Sequence, residues 1–133
     1  MTHRNALGQW AECVATAQLQ HAGFSILYRN YFSRYGEIDI VACKDEVMVF
    51  VEVKARSTAK YGKSVETISE HKQAKIIKTA QYFIMQHASY HHYNFRFDAI
   101  CIDLKHIIAK NTQPDFSKLA YDLVWIENAF SLS

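Results

Sequence analysis

The stretch that most constrains this chain runs from Gly36 to Ser57 and reads GEIDIVACKDEVMVFVEVKARS. Two apolar runs rich in β-branched residues flank the polar trio Lys44, Asp45 and Glu46. So short a connection joins antiparallel neighbours, which predicts a hairpin with strands over 37–42 and 47–54. Side chains alternate between the faces of a strand. Val47, Val49, Val51 and Val53 therefore share one face, and Met48, Phe50, Glu52 and Lys54 share the other. In the preceding strand Glu37 and Asp39 lie opposite Ile38 and Ile40. The hairpin can bring Asp39 near Glu52, although the sequence leaves the register open.

The rest of the chain supplies the surroundings. Leu7, Ala11, Ala15, Leu19 and Ala22 recur at helical intervals over 5–22, and Gly23 is a stop. Glu12 lies beside this stripe, and on that segment alone it reads as a flank carboxylate facing water. A strand is expected over 24–32. Thr67 with Glu70 fits a capping box, and Ser69 is a second candidate cap for a helix running to about His87. Ile76, Ala80, Phe83, Ile84 and His87 form its stripe, with Lys72, Lys75 and Lys78 placed elsewhere. Further strands are expected over 94–104 and 120–126, separated by a loop over 105–118 that holds the only proline, Pro114. The order αβββαββ defines an α/β fold with a mixed sheet flanked by helices.

With 133 residues, half of them hydrophobic, the chain has material for one core, and residues 1–133 read as a single domain. Charged residues make up 21%, which argues against disorder. The net charge of +2 provides no polybasic tail, so any nucleic-acid face must come from local clustering. Lys54, Arg56, Lys60 and Lys63 follow the hairpin, and Lys72, Lys75 and Lys78 come soon after. Such residues read either as a solvated face or as a phosphate-binding edge. Cys13, Cys43 and Cys101 show no zinc-like spacing and read as reduced thiols. The first 23 residues lack a signal-peptide core, and no run reaches the length of a membrane span. A soluble, cytoplasmic protein without a membrane partner is expected. His87, His91 and His92 cluster but have no cysteine at metal spacing, so a polar connection is the reading. Arg96 and Asp98 share a strand face and can pair with each other or with the neighbouring hairpin. Tyr28, Tyr31, Phe32 and Tyr35 fit either a core or a base-stacking surface.

Charge counting sharpens the hairpin. Asp39 and Glu52 carry two negative charges, and Lys54 supplies one positive charge. Neighbouring carboxylates repel, and an uncompensated buried charge costs several kcal/mol. A hard divalent cation resolves this, because Mg²⁺ takes oxygen ligands, needs few carboxylates and keeps places for water and phosphate. An isolated Glu-x-Lys reads as a salt bridge at a sheet edge. An Asp on one strand with Glu-x-Lys on the next, together with helical Glu12, favours a metal site.

These residues resemble the PD-(D/E)xK nuclease signature, with Ile38 where the motif name has proline. More closely, the chain resembles the YraN family, similar to archaeal Holliday-junction resolvases, through GQWAE, YRNYFSRYGEID, VFVEVKARS, YGKSVETI, FRFDAICID and the closing ENAF. Ala11 stands where the family commonly has Gly, and Ala55 where it commonly has Thr. The resemblance implies a restriction-endonuclease-like core and Mg²⁺- or Mn²⁺-dependent phosphodiester hydrolysis in DNA, including branched or damaged DNA. It maps the metal carboxylates onto Asp39 and Glu52, with the Val53 carbonyl as a third oxygen. Lys54 becomes the catalytic lysine, and Glu12 the supporting helical acid. Arg56 and Lys72 are candidate phosphate contacts. By analogy with the resolvases, a homodimer is expected. The alternative is a non-catalytic nucleic-acid-binding module within a DNA-processing complex.

Overall fold

Asp45 and Glu46 both take positive φ, 50° and 62°, which is the backbone of a two-residue hairpin turn whose twist matches its strands. The turn fixes β2 (Gly36–Lys44) against β3 (Val47–Arg56), paired from Lys44↔Val47 to Ile40↔Val51. The computed structural model describes residues 6–57, 68–105 and 115–132. Around the hairpin lie α1 (Ala6–His21), β1 (Ser25–Ser33), α2 (Glu70–Gln86), β4 (Asn94–Leu104) and β5 (Tyr121–Phe130). The observed order is αβββαββ, as the sequence predicts.

The five strands form one sheet in the order β1-β2-β3-β4-β5. All neighbours are antiparallel except β3 and β4, which run parallel because α2 lies in the crossover between them. The two helices cover opposite faces. Ala11, Ala15 and Leu19 of α1 pack on Ile40, Ala42, Val49, Val51, Ile100 and Ile102. Ile76, Ala80 and Phe83 of α2 pack on Val41, Met48, Phe50 and Phe97. The central strand β3 is thus apolar on both sides, not on its valine face alone. Burying each such side chain contributes about 1.5–3 kcal/mol, enough in sum to carry a few costly charged groups.

Local chemistry sets the helix ends. Ser69 caps α2, its hydroxyl accepting from the Lys72 N–H at 3.2 Å. Thr67 lies outside the described residues, as do Lys60, Lys63, Pro114 and Asn5. At the other end the His87 ring stacks on Phe83 at 4.0 Å, and its Nδ1 donates to the Phe83 carbonyl at 2.7 Å. His91 donates to the Ile84 carbonyl at 2.9 Å, and His92 reaches Glu46 at 3.3 Å. The histidine cluster closes the helix and its connection to β4. Among the described residues, no helix is long and apolar enough to cross a membrane.

Candidate metal and nucleic-acid site

The sheet is irregular where the first acid sits. Asn30 has φ 55° and lies opposite Asp39, between the pairs Arg29↔Ile40 and Tyr31↔Ile38. The regular alternation fails here: Ile40 packs on the α1 side, whereas Ile38 joins the cluster under α2. The expectation that Ile38 and Ile40 share a face is therefore corrected: the change of side coincides with left-handed Asn30 on the neighbouring strand. Beyond Ile40↔Val51 the Asp39 carboxylate takes the place of a ladder partner, its Oδ2 accepting from the Val53 N–H at 2.8 Å. That bond crosses the hairpin and holds Asp39 beside Glu52. Val53 is thereby the backbone position next to the acids.

Glu52 is 5% exposed and Asp39 6% exposed. Burial first, then repulsion by Asp39 and a hydrogen bond between the two carboxyl groups, push the Glu52 carboxyl up to about 8, although the Lys72 ammonium pulls it down. Lys72 forms an ion pair with Glu52 Oε2. Burial works to lower the Lys72 pKa, but its bond to Glu52 and the charges of Glu52, Asp39 and Glu37 outweigh this and raise it. This pairing was missed in the sequence, which set Lys72 apart from the helix stripe. The signal was present: Lys72 stands four residues before Ile76 and so shares its face.

Two cavities flank the ion pair. The larger, about 660 Å³, opens over Asp39 and Glu37 and is rimmed by Arg34, Tyr35, His71 and Lys75. The smaller, about 450 Å³, is lined by Val53, Lys54 and Arg56. Among the described residues, Glu52, Ser69 and Lys72 line both. Asp39 lines the larger cavity and Lys54 the smaller. Lys54 and Arg56 are half-buried along the strand end.

Glu12 is 2% exposed, so the expectation that it faces water is corrected. It sits among the small residues by which α1 approaches the sheet, with Arg29 Nη2 of β1 at 3.8 Å. Among the described residues, no three His, Cys, Asp or Glu side chains converge to hold a metal ion. The structure brings Asp39, Glu52 and Lys72 together and sets Glu12 near Arg29.

The other candidates divide. Arg96 Nε donates to Asp98 Oδ1 at 3.0 Å, as the strand pattern suggests. Asp98 is fully buried and also accepts from Trp125 Nε1 at 2.9 Å and the Asn128 N–H at 3.0 Å, a structural network. Tyr31 belongs to the aromatic cluster around Phe83, which Tyr28 also meets edge-on. Phe32, 50% exposed, and Tyr35 instead line the larger cavity.

Fold and site define a mixed α/β domain whose central hairpin buries a carboxyl pair between two basic-edged cavities. Such a description fits a family, and comparison with known proteins supplies it. The chain belongs to the Uncharacterised protein family UPF0102, whose family model matches residues 11–102. That span holds Glu12, Asp39, Glu52, Lys54, Arg56 and Lys72. A UPF0102 protein of Acinetobacter baylyi is 50% identical over 130 residues, 98% of this chain and 93% of the relative. A UPF0102 protein of Clostridium acetobutylicum is 40% identical over 125 residues, 94% and 93% of the two chains. One of Alcanivorax borkumensis is 37% identical over 123 residues, 92% and 90%.

Proposed function

We propose that this chain is a metal-dependent endonuclease that hydrolyses phosphodiester bonds in DNA, branched or damaged DNA among its substrates. The observation that carries the reading is the buried Asp39–Glu52 pair, two carboxyl groups held against one another across the hairpin. A site built only for stability gains nothing from such repulsion. A hard cation with two carboxylate ligands and open positions for water and phosphate removes it. The donor set therefore fits Mg²⁺ or Mn²⁺, with the Val53 carbonyl as a third oxygen. Bound there, the ion supplies Lewis-acid polarisation of a phosphoryl oxygen and lowers the pKa of its water.

The chain's own groups do the rest. Asp39 and Glu52 hold the ion. Lys54, two residues along the same strand face as Glu52, orients the attacking water and stabilises charge on the phosphoryl oxygens. Arg56 and Lys72 bind flanking phosphates, so affinity falls as salt rises. Glu12 acts from the opposite helix layer, on the position of the sheet through Arg29.

The test is cleavage of fluorescent duplex, flap and four-way-junction DNA in Mg²⁺ or Mn²⁺, with calorimetric metal binding. Asp39→Asn and Glu52→Gln are expected to fold and to lose metal affinity. Lys54→Met and Lys54→Arg are expected to keep metal and lose most cleavage, since the planar guanidinium donates in other directions. Equal metal affinity in wild type and both acid variants defeats the metal assignment. Near-wild-type cleavage by Lys54→Met removes the lysine from the chemistry. Salt-dependent DNA binding by wild type without any cleavage supports the non-catalytic binding module instead.

A further inference from the structure

The two cavities pose a problem for any single reaction centre. Asp39 lines one and Lys54 the other, and the paired Glu52 and Lys72 line both. We propose that Lys72 is a resident counter-ion that occupies the cation position at the acid pair, and that a divalent ion must expel it to open the two cavities into one groove. This rests on the reading of Asp39 and Glu52 as metal ligands.

Three observations support it. The Lys72 ammonium contacts Glu52 directly, and its charge also meets Asp39 and Glu37, so it stands against the same carboxyl groups that a divalent ion would take. The partners differ in exposure: the Lys72 side chain is 55% exposed and Glu52's 5%. A flexible four-carbon stem reaching in from the first turn of α2 can swing out, whereas the buried carboxyl cannot follow. Finally, of the three residues common to both cavities, Ser69 is fixed as the α2 cap and Glu52 by the strand. Lys72 is the one able to withdraw. Once released beside Arg56 and Lys75, its ammonium faces the groove that a phosphate backbone would follow. Metal binding and anion binding are then coupled through one side chain, each favouring the state in which Lys72 has left Glu52.

The experiment uses the full chain and Mn²⁺ alone. Calorimetry at neutral pH compares wild type, Lys72→Met and Lys78→Met, the last a control for general loss of positive charge on α2. In parallel, acetylation of Lys72 in wild type is followed by mass spectrometry with and without Mn²⁺. The expected result is Mn²⁺ binding about tenfold tighter in Lys72→Met, little change in Lys78→Met, and several-fold faster acetylation of Lys72 when Mn²⁺ is added. Equal or weaker Mn²⁺ affinity in Lys72→Met overturns the inference and leaves the metal assignment standing. So does Lys72 acetylation that Mn²⁺ leaves unchanged in wild type, a readout that does not depend on the variant folding. Absence of Mn²⁺ binding in every protein overturns both the metal assignment and this inference.

Discussion

Replacing Glu52 with Gln tests the energetics of the site without any ligand. The folded protein holds the Glu52 proton up to about pH 8, whereas the ordinary carboxyl releases it near 4.5. Between these values the folded state binds the extra proton, so stability falls as pH rises. The contribution is fully present below the lower value and lost above the upper one. A gap of about 3.5 pH units at about 1.4 kcal/mol each sets a ceiling near 5 kcal/mol. At 5% exposure little solvent screening reaches the group, although relaxation of the hairpin takes part of that ceiling. Even half of it, about 2 kcal/mol, moves Tm by roughly 6–10 °C in a domain of this size. Glutamine keeps the shape and cannot titrate. Urea unfolding in the presence of a chelator, at about pH 5 and about pH 8.5, reads the effect as a difference between proteins. Wild type is expected to lose at least about 2 kcal/mol more than Glu52→Gln across that interval, and the variant to be the more stable at the upper pH. Parallel pH profiles would refute the reasoning, because Glu52 would then titrate alike in folded and unfolded chains.

Asp98→Ala should cost about 3–5 kcal/mol in urea unfolding, since it strips buried acceptors from Arg96, Trp125 and Asn128 together; a loss below about 1 kcal/mol would show that water replaces the carboxylate. Glu46→Gly should raise stability by about 0.5–1 kcal/mol, because Glu46 holds φ 62° in the hairpin turn and its exposed contact with His92 contributes little. A lower Tm for that variant would mean the turn tolerates its present residues without strain.

The fold was legible where one physical rule dominated. β4 alternates aromatic and branched apolar residues with a few polar ones over 94–104, and its predicted bounds match the observed Asn94–Leu104. The hairpin was legible because its connection is too short for anything else. Other elements shifted by a few residues: β5 runs on to Phe130 past the predicted end at 126, its register irregular between Phe97 and Ala99. The acid pair could be placed on neighbouring strands, but not the left-handed backbone of Asn30 in β1 beside Asp39. Glu12 misled because a carboxylate beside a stripe of small residues normally reaches water, and here the helix lies so close to the sheet that Glu12 is covered. The role of Lys72 was obscured by its type: charge suggested a solvated face although its spacing from Ile76 placed it on the buried one.

The parallel pairing of β3 with β4 also sets an order of assembly. Hairpin partners such as Lys44 and Val47 are close in sequence, whereas β3–β4 partners run from Val47↔Asn94 to Arg56↔Asp103, far apart along the chain. Closing a hairpin is a local event of microseconds, and the long-range pairing must wait for a larger loop to close. Asp39 and Glu52 belong to the local event; Lys72 arrives with the crossover helix. The two acids are therefore expected to meet before their lysine does, with the repulsion between them weighing on the earliest contacts. Docking of α2 relieves it and thereby ties the non-local half of the fold to the local half. β3, shared by both, is the strand on which the cooperativity of this chain turns.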